Sequence, residues 1–335
     1  MIRSNRSRAL ALVAIGSASL LVAGCSSGSP TPGSSDDGSK DKGGTIGVAM
    51  PTVEGPFFTS MLYGITEEAK AAGYDVTILS AGGYGNISQQ VDQIQNLITQ
   101  QVDIIMTDPA DPNATEPALK QAVSQGIIAI GAGDPAPGGL GYSAAGHCDV
   151  GKAMAVGAKE LLPDGGTLGI MAGPAGAFWS TERLRCFKED IAGAGIEIVA
   201  EKATNPDVAE GLNGATDMLQ RFPDLDLLYG ADDTVGVGAA KAVQAANKCG
   251  ETKVLTAVYG QQAEDLMKQN CIQYDVGIQP VLIGREAVKL AIALKNGEKP
   301  TVTDIDIPLV AITPETMDSI NLDDIRSPAG WKPAA

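Results

Sequence analysis

The sequence is poor in positive charge, in aromatics and in histidine. Lys and Arg number 24 against 40 Asp and Glu, giving a net charge of -16, and aromatics are 4% of the chain. After the first ten residues there is no cluster of Lys and Arg, so the phosphate neutralisation that nucleic-acid binding needs is missing; no nucleic-acid partner is expected. The single histidine, His147, stands in no nucleophile signature. There is no G-x-S-x-G elbow and no P-loop, and no catalytic residues are assigned. No Cys-x-x-Cys pair occurs, which argues against a metal site. Neither a metal nor a cofactor is expected. Carboxylates in a cleft serve glycosidases, but the two-lobed layout described below fits capture better than bond cleavage, and no enzyme is expected.

Long apolar runs are also absent, with one exception. Ala9 to Ala23 is apolar apart from Gly16, Ser17 and Ser19, and it follows Arg3, Arg6 and Arg8. A spanning helix needs about 20 apolar residues; this run is shorter and has the basic start of a secretory signal. It ends in Leu21-Val22-Ala23-Gly24-Cys25, which resembles a bacterial lipobox. The resemblance implies cleavage after residue 24, lipid on Cys25 and a place on the outer face of the cytoplasmic membrane. Residues 25–44 are Gly, Ser, Pro and charge, and read as a flexible tether.

Four further cysteines remain, Cys148, Cys186, Cys249 and Cys271. An even number in an exported chain favours disulfides, and four cysteines allow three pairings. Cys249 and Cys271 each precede a predicted strand, and neighbouring parallel strands begin at one edge. Pairing 249 with 271 is therefore geometrically sensible and leaves 148 with 186.

From Thr45 the chain alternates short β-rich runs with amphipathic helical ones. The period predicts strands at 45–50, 75–79, 103–106 and 127–130, with helices between them, and then a second series from 150 to 258. Ser88 and Asp233 are placed as helix caps. Such alternation means parallel sheets covered by helices. Two series mean two Rossmann-like α/β lobes, hinge-connected, with a late strand, helix and β-rich run completing both. The first lobe is drawn as 45–146 plus 279–304, the second as 147–278 plus 305–327.

In such sheets ligands bind at the carboxyl ends of strands. The loops there supply the candidate site. After the first strand come Thr52, Glu54, Phe57 and Phe58, and after the second comes Tyr84 among glycines. Gly131-Ala132-Gly133-Asp134 imitates a dinucleotide fingerprint, but Pro135 prevents a helix from opening there, so no such site is assigned. In the second lobe Trp179 offers a ring face and Arg183 a fixed fork for two ligand oxygens. The alternative for Arg183 is a surface ion pair with Glu182 or Glu189. Asp232 and Tyr259 end two later strands.

These segments resemble the type I periplasmic binding proteins of the ribose and galactose class. The marks are IGVAMPTVEGPFF, QQVDQIQNLITQQVDIIMTDPAD, TERLRCF, GADDTVGVGAAKAV and IQPVLIGREAV, in that order, from Thr45 to about Pro300. The resemblance implies the ligand-capturing subunit of an ABC importer, monomeric, with permease subunits as partners and a sugar, polyol or similar small polar solute as ligand. It implies that Phe57 and Phe58 pack on a ligand ring and that Asp134, Arg183 and Asp232 bind ligand. Gly55 stands where the family carries Asn, Pro135 where sugar binders often carry Arg, and Tyr259 where Asp is usual. Gln279, directly before Pro280, is a displaced form of the family's late glutamine. The GGYGN and PAGAFWS segments are also similar to a sensor branch of this fold, which binds a small amine oxide and signals to a membrane histidine kinase. That is the alternative function.

Overall fold

The computed structural model describes residues 43–334. The signal sequence, Cys25 and nearly all of the tether lie outside the described residues. Those that are described belong to one compact unit.

The first sheet is built from β1 (Gly44–Met50), β2 (Tyr74–Ser80), β3 (Ile104–Thr107), β4 (Ile128–Gly133), β5 (Tyr142–Ala144) and β11 (Asp304–Asp306). Its strand order is β11-β5-β4-β3-β1-β2, parallel throughout. Helices α1 (Gly55–Ala71), α2 (Ile87–Thr99), α3 (Pro112–Ser124) and α9 (Pro280–Lys295) belong with it. The second sheet contains β6 (Gly166–Met171), β7 (Ile196–Lys202), β8 (Leu227–Gly230), β9 (Lys253–Ala257), β10 (Tyr274–Gly277) and β12 (Val310–Ile312). Its order, β12-β10-β9-β8-β6-β7, repeats the first, with β12 alone antiparallel. It carries α4 (His147–Leu161), α5 (Phe178–Asp190), α6 (Val208–Arg221), α7 (Asp233–Ala245) and α8 (Gln261–Lys268).

The central strands are buried along their length; Ile104–Thr107 and Leu227–Gly230 have no exposed residue. Helices on both faces require this, because a strand covered twice has no solvent side to keep polar. The chain passes between the sheets three times, at 145–146, 278–279 and 307–309. The last passage falls after Asp306, since Asp304–Asp306 still pairs with β5.

The apolar period predicts helices from Ser60 and from Thr181, and both begin earlier. The first starts at Gly55, with Pro56 in its opening turn, and α5 starts at Phe178. Neither cap assigned from sequence holds. The residue before α2 is Asn86, without a side-chain capping bond, and Ser88 lies inside the first turn. Asp232, not Asp233, caps α7, its Oδ1 accepting from the backbone of Val235 at 2.9 Å. The short β5 and α8 were not foreseen, being too brief to show a period.

Both disulfides join the expected partners, Cys148 to Cys186 and Cys249 to Cys271. The first ties the start of α4 to α5. The second joins the segments leading into the neighbouring parallel strands β9 and β10.

Candidate functional site

In each sheet the strand order reverses direction at one point, between β1 and β3 in the first and between β6 and β8 in the second. Loops leaving such a point diverge and open a crevice. Here the loops of both lobes line one cavity of about 890 Å³.

Its first-lobe wall holds Thr52, Glu54, Phe57 and Phe58 from the loop after β1, Tyr84 after β2 and Asp134 after β4. The second-lobe wall holds Trp179, Arg183 and Asp232. Nine of the eleven ligand positions named from sequence are thus brought together. Thr52 Oγ1 accepts from the Glu54 amide at 3.1 Å, fixing the turn that starts α1.

Aromatic rings form a continuous surface. Phe57 and Phe58 meet edge to face at 5.3 Å, Phe58 and Tyr84 lie 6.3 Å apart, and Tyr84 and Trp179 meet between the lobes at 6.3 Å, their planes tilted by 52°. The Arg183 guanidinium sits 4.8 Å from the centre of the Trp179 ring, and its Nη1 donates to the Ala231 carbonyl at 3.0 Å. Arg183 is only 4% exposed. The surface ion pairs with Glu182 and Glu189 belong to Arg185 instead.

Two positions are placed elsewhere. Val258 and Tyr259 both adopt left-handed φ, 96° and 62°. This double turn leaves Val258 on the cavity and buries Tyr259 in the second-lobe core, its ring beneath the Arg326 guanidinium at 5.6 Å. Gln279 lies in the second passage between the sheets. Its Nε2 donates to the Pro308 carbonyl in the third passage at 2.8 Å, so it braces the hinge.

Asp108 and His147 are among the cavity residues not named from sequence. Asp108, 2% exposed, is the first residue after β3, at the first-lobe switch point, and its Oδ1 has no hydrogen-bond partner. That position was the available signal. His147, the one histidine, opens α4 and bonds through Nε2 to Asp134 Oδ1. No spacing rule joins residues thirteen apart across a crossover.

Burial governs the ionisation here. It raises the Asp108 carboxyl well above its usual range, and the adjacent Asp134 raises it further, by charge and by a shared hydrogen bond. It also raises Tyr84 well above the usual phenol range, helped by Asp108 and Asp134. It raises Asp232, against the pull of the Val235 amide, and lowers Arg183. Asp108 Oδ1, Trp179 Nε1, Arg183 Nε and His147 Nδ1 are all buried without a partner. Buried polar atoms are rarely left so, since each costs about 1–3 kcal/mol; here they converge on one cavity. Among the described residues no group of His, Cys, Asp and Glu could hold a metal ion.

A cavity walled by two α/β lobes, with ring faces and unpaired polar atoms, defines a two-lobed binding protein of the type I periplasmic fold. Residues 46–299 match the periplasmic binding protein domain family, and the chain belongs to it. It is 28% identical to the ribose import binding protein RbsB of Bacillus subtilis, over 86% of this chain and 93% of that one. An ABC transporter solute-binding protein from Agrobacterium vitis with bound D-fucose superposes with a TM-score of 0.80 at 23% identity, covering 85% of this chain and all of the other. A solute-binding protein from Burkholderia graminis in complex with D-arabinose gives a TM-score of 0.77 at 26% identity, covering 82% and 97%.

Proposed function

We propose that this protein is the extracytoplasmic receptor of an ABC importer, closing its two lobes on a small polar solute of the sugar and polyol kind and delivering it to permease subunits. The observation that carries this reading is the convergence of Asp108 Oδ1, Trp179 Nε1 and Arg183 Nε, each buried without a partner, on a cavity walled by Phe58, Tyr84 and Trp179. Ring faces cover the apolar side of a solute, and the polar atoms fix its orientation. Contacts from both lobes favour the closed form by differential affinity, and the closed rim is what a permease recognises. The similarity to sugar-import binding proteins supports the same assignment.

On this reading the protein is a monomeric receptor and not an enzyme, and it is tethered to the membrane by lipid on Cys25. The test is a thermal-shift screen of the full chain against sugars, polyols, nucleosides and small amines. A ligand present at a hundredfold excess over Kd stabilises the folded state by about 2.7 kcal/mol, raising Tm. The ligand should be recovered chemically unchanged, and Trp179→Ala should abolish the shift. No shift across the panel, or turnover of a compound that binds, would overturn the assignment. Replacement of Cys25 by Ser should release the protein from the membrane fraction; retention there would rule out the lipid anchor.

A further inference from the structure

We propose that the solute carries a positively charged nitrogen, held at the Asp108–Asp134 pair beside the neighbouring rings of Tyr84 and Trp179. This rests on the receptor reading above and names the class of solute within it.

The charge inventory of the cavity is the first argument. Glu54, Asp108, Asp111, Asp134, Asp232 and Asp233 line it, against a single guanidinium, that of Arg183. Some of these carboxylates have structural work. Asp111 Oδ1 caps α3, Asp232 Oδ1 caps α7, and Asp134 Oδ1 is bonded to His147. Asp108 caps no helix, and beyond the bond it shares with Asp134 its Oδ1 is buried and unpaired. Nor does Arg183 neutralise the pair by contact, because it is stacked on Trp179 and bonded to the Ala231 carbonyl. Asp134 has His147 as its partner, but a neutral polyol would leave Asp108 without a counter-charge, whereas an ammonium supplies one.

The second argument is the ring geometry. Tyr84 lines the cavity together with Asp108 and Asp134, and its ring is 6.3 Å from that of Trp179. Ring faces beside carboxylates are the environment in which an alkylated or hydroxylated ammonium is favoured over its neutral counterpart. Arg183 Nε, unpaired and on the opposite wall, suits an oxygen of the same solute.

The charged and titratable groups that line the cavity with Asp108 are Glu54 after β1, Tyr84 after β2, Asp111 before α3, Asp134 after β4, His147 at the start of α4, Arg183 on α5, and Asp232 and Asp233 at the start of α7. Burial and the adjacent Asp134 raise the Asp108 carboxyl, and a cation bound beside it opposes that shift. Cation binding should therefore favour loss of a proton from Asp108.

The test is calorimetry on the full chain with matched pairs, D-glucosamine against D-glucose and choline against 3,3-dimethylbutan-1-ol, in two buffers of different ionisation enthalpy. The cationic member of at least one pair should bind about tenfold or more tighter, with proton release. Asp108→Asn should erase the preference while leaving the melting of the free protein unchanged or higher, since the amide resembles the protonated acid. Binding of neutral members as tightly as their cationic partners would overturn the inference and leave the receptor reading standing. So would an Asp108→Asn protein that keeps the preference. If no member of either pair and no compound of the wider panel binds, both readings fail.

Discussion

The Arg183 guanidinium lies 4.8 Å from the centre of the Trp179 ring, while Arg185, two residues on, points outward into ion pairs with Glu182 and Glu189. One turn of α5 thus carries a buried arginine and an exposed one. Arg183→Ala should abolish ligand binding and also destabilise the free protein by about 1–3 kcal/mol, because the Ala231 carbonyl loses its donor. Arg185→Ala should leave binding unchanged and shift stability by less than about 1 kcal/mol, as exposed pairs do. Denaturation and calorimetry on the two variants check this, and equal effects would contradict the assignment.

Gly151 on α4 sets how closely α5 approaches. A Cβ there would stand 2.2 Å from the Arg183 carbonyl oxygen. Gly151→Val should push α5 away, carry Arg183 and Trp179 with it and weaken binding, at a stability cost of about 1–3 kcal/mol. Wild-type affinity in this variant would mean that α5 has slack the packing does not suggest.

The two disulfides close loops of 38 and 22 residues. On the chain-entropy view such loops contribute about 3–4 kcal/mol each. Replacing Cys148 and Cys186 together by Ala should lower stability by up to that amount, and it should also loosen the wall bearing Arg183. Replacing Cys249 and Cys271 should lower stability alone. Urea denaturation with ligand titration separates the two cases.

Asp275 is fully buried on β10, between Thr256 of β9 and Ile312 of β12. Burial pushes its carboxyl up to about 8, against a smaller downward pull from the Tyr259 backbone. A carboxyl raised on folding contributes stability at low pH that is lost as pH rises through the folded value. Burial raises Asp108 and Asp233 in the same direction. Surface acids act oppositely: the Lys295 hydrogen bond lowers Asp103, and its contribution is lost only in strong acid. The free protein should therefore melt at a higher temperature at pH 5 than at pH 8. Asp275→Asn should flatten that slope and raise stability at pH 8 by about 1–3 kcal/mol. A Tm that climbs from pH 5 to pH 8 would contradict this.

Much of the architecture was legible because it repeats a local rule. Runs such as Ile104–Met106 and Leu227–Tyr229 are apolar at every position, and only a doubly covered parallel strand needs that. The cleft-facing loops followed, since the carboxyl ends of such strands are where sites form. Phe57, Phe58, Tyr84, Trp179, Arg183 and Asp232 were found in this way. The last passage between the sheets was drawn at 304–305 and falls after Asp306, because β11 and β12 are too short to show which sheet each joins.

What the chain dictated alone was the alternation, the two lobes and the set of loops from which a site must come, all of them consequences of local periodicity and of where Gly and Pro interrupt it. Only the tertiary structure decided which side chains of those loops meet. A left-handed pair at Val258 and Tyr259 turns an expected contact into the core. Gln279 is spent on the hinge. Asp108, Asp134 and His147, far apart in sequence, come together because the switch point and the first crossover converge. Contact between such residues depends on the summed geometry of many elements, and no local pattern encodes it.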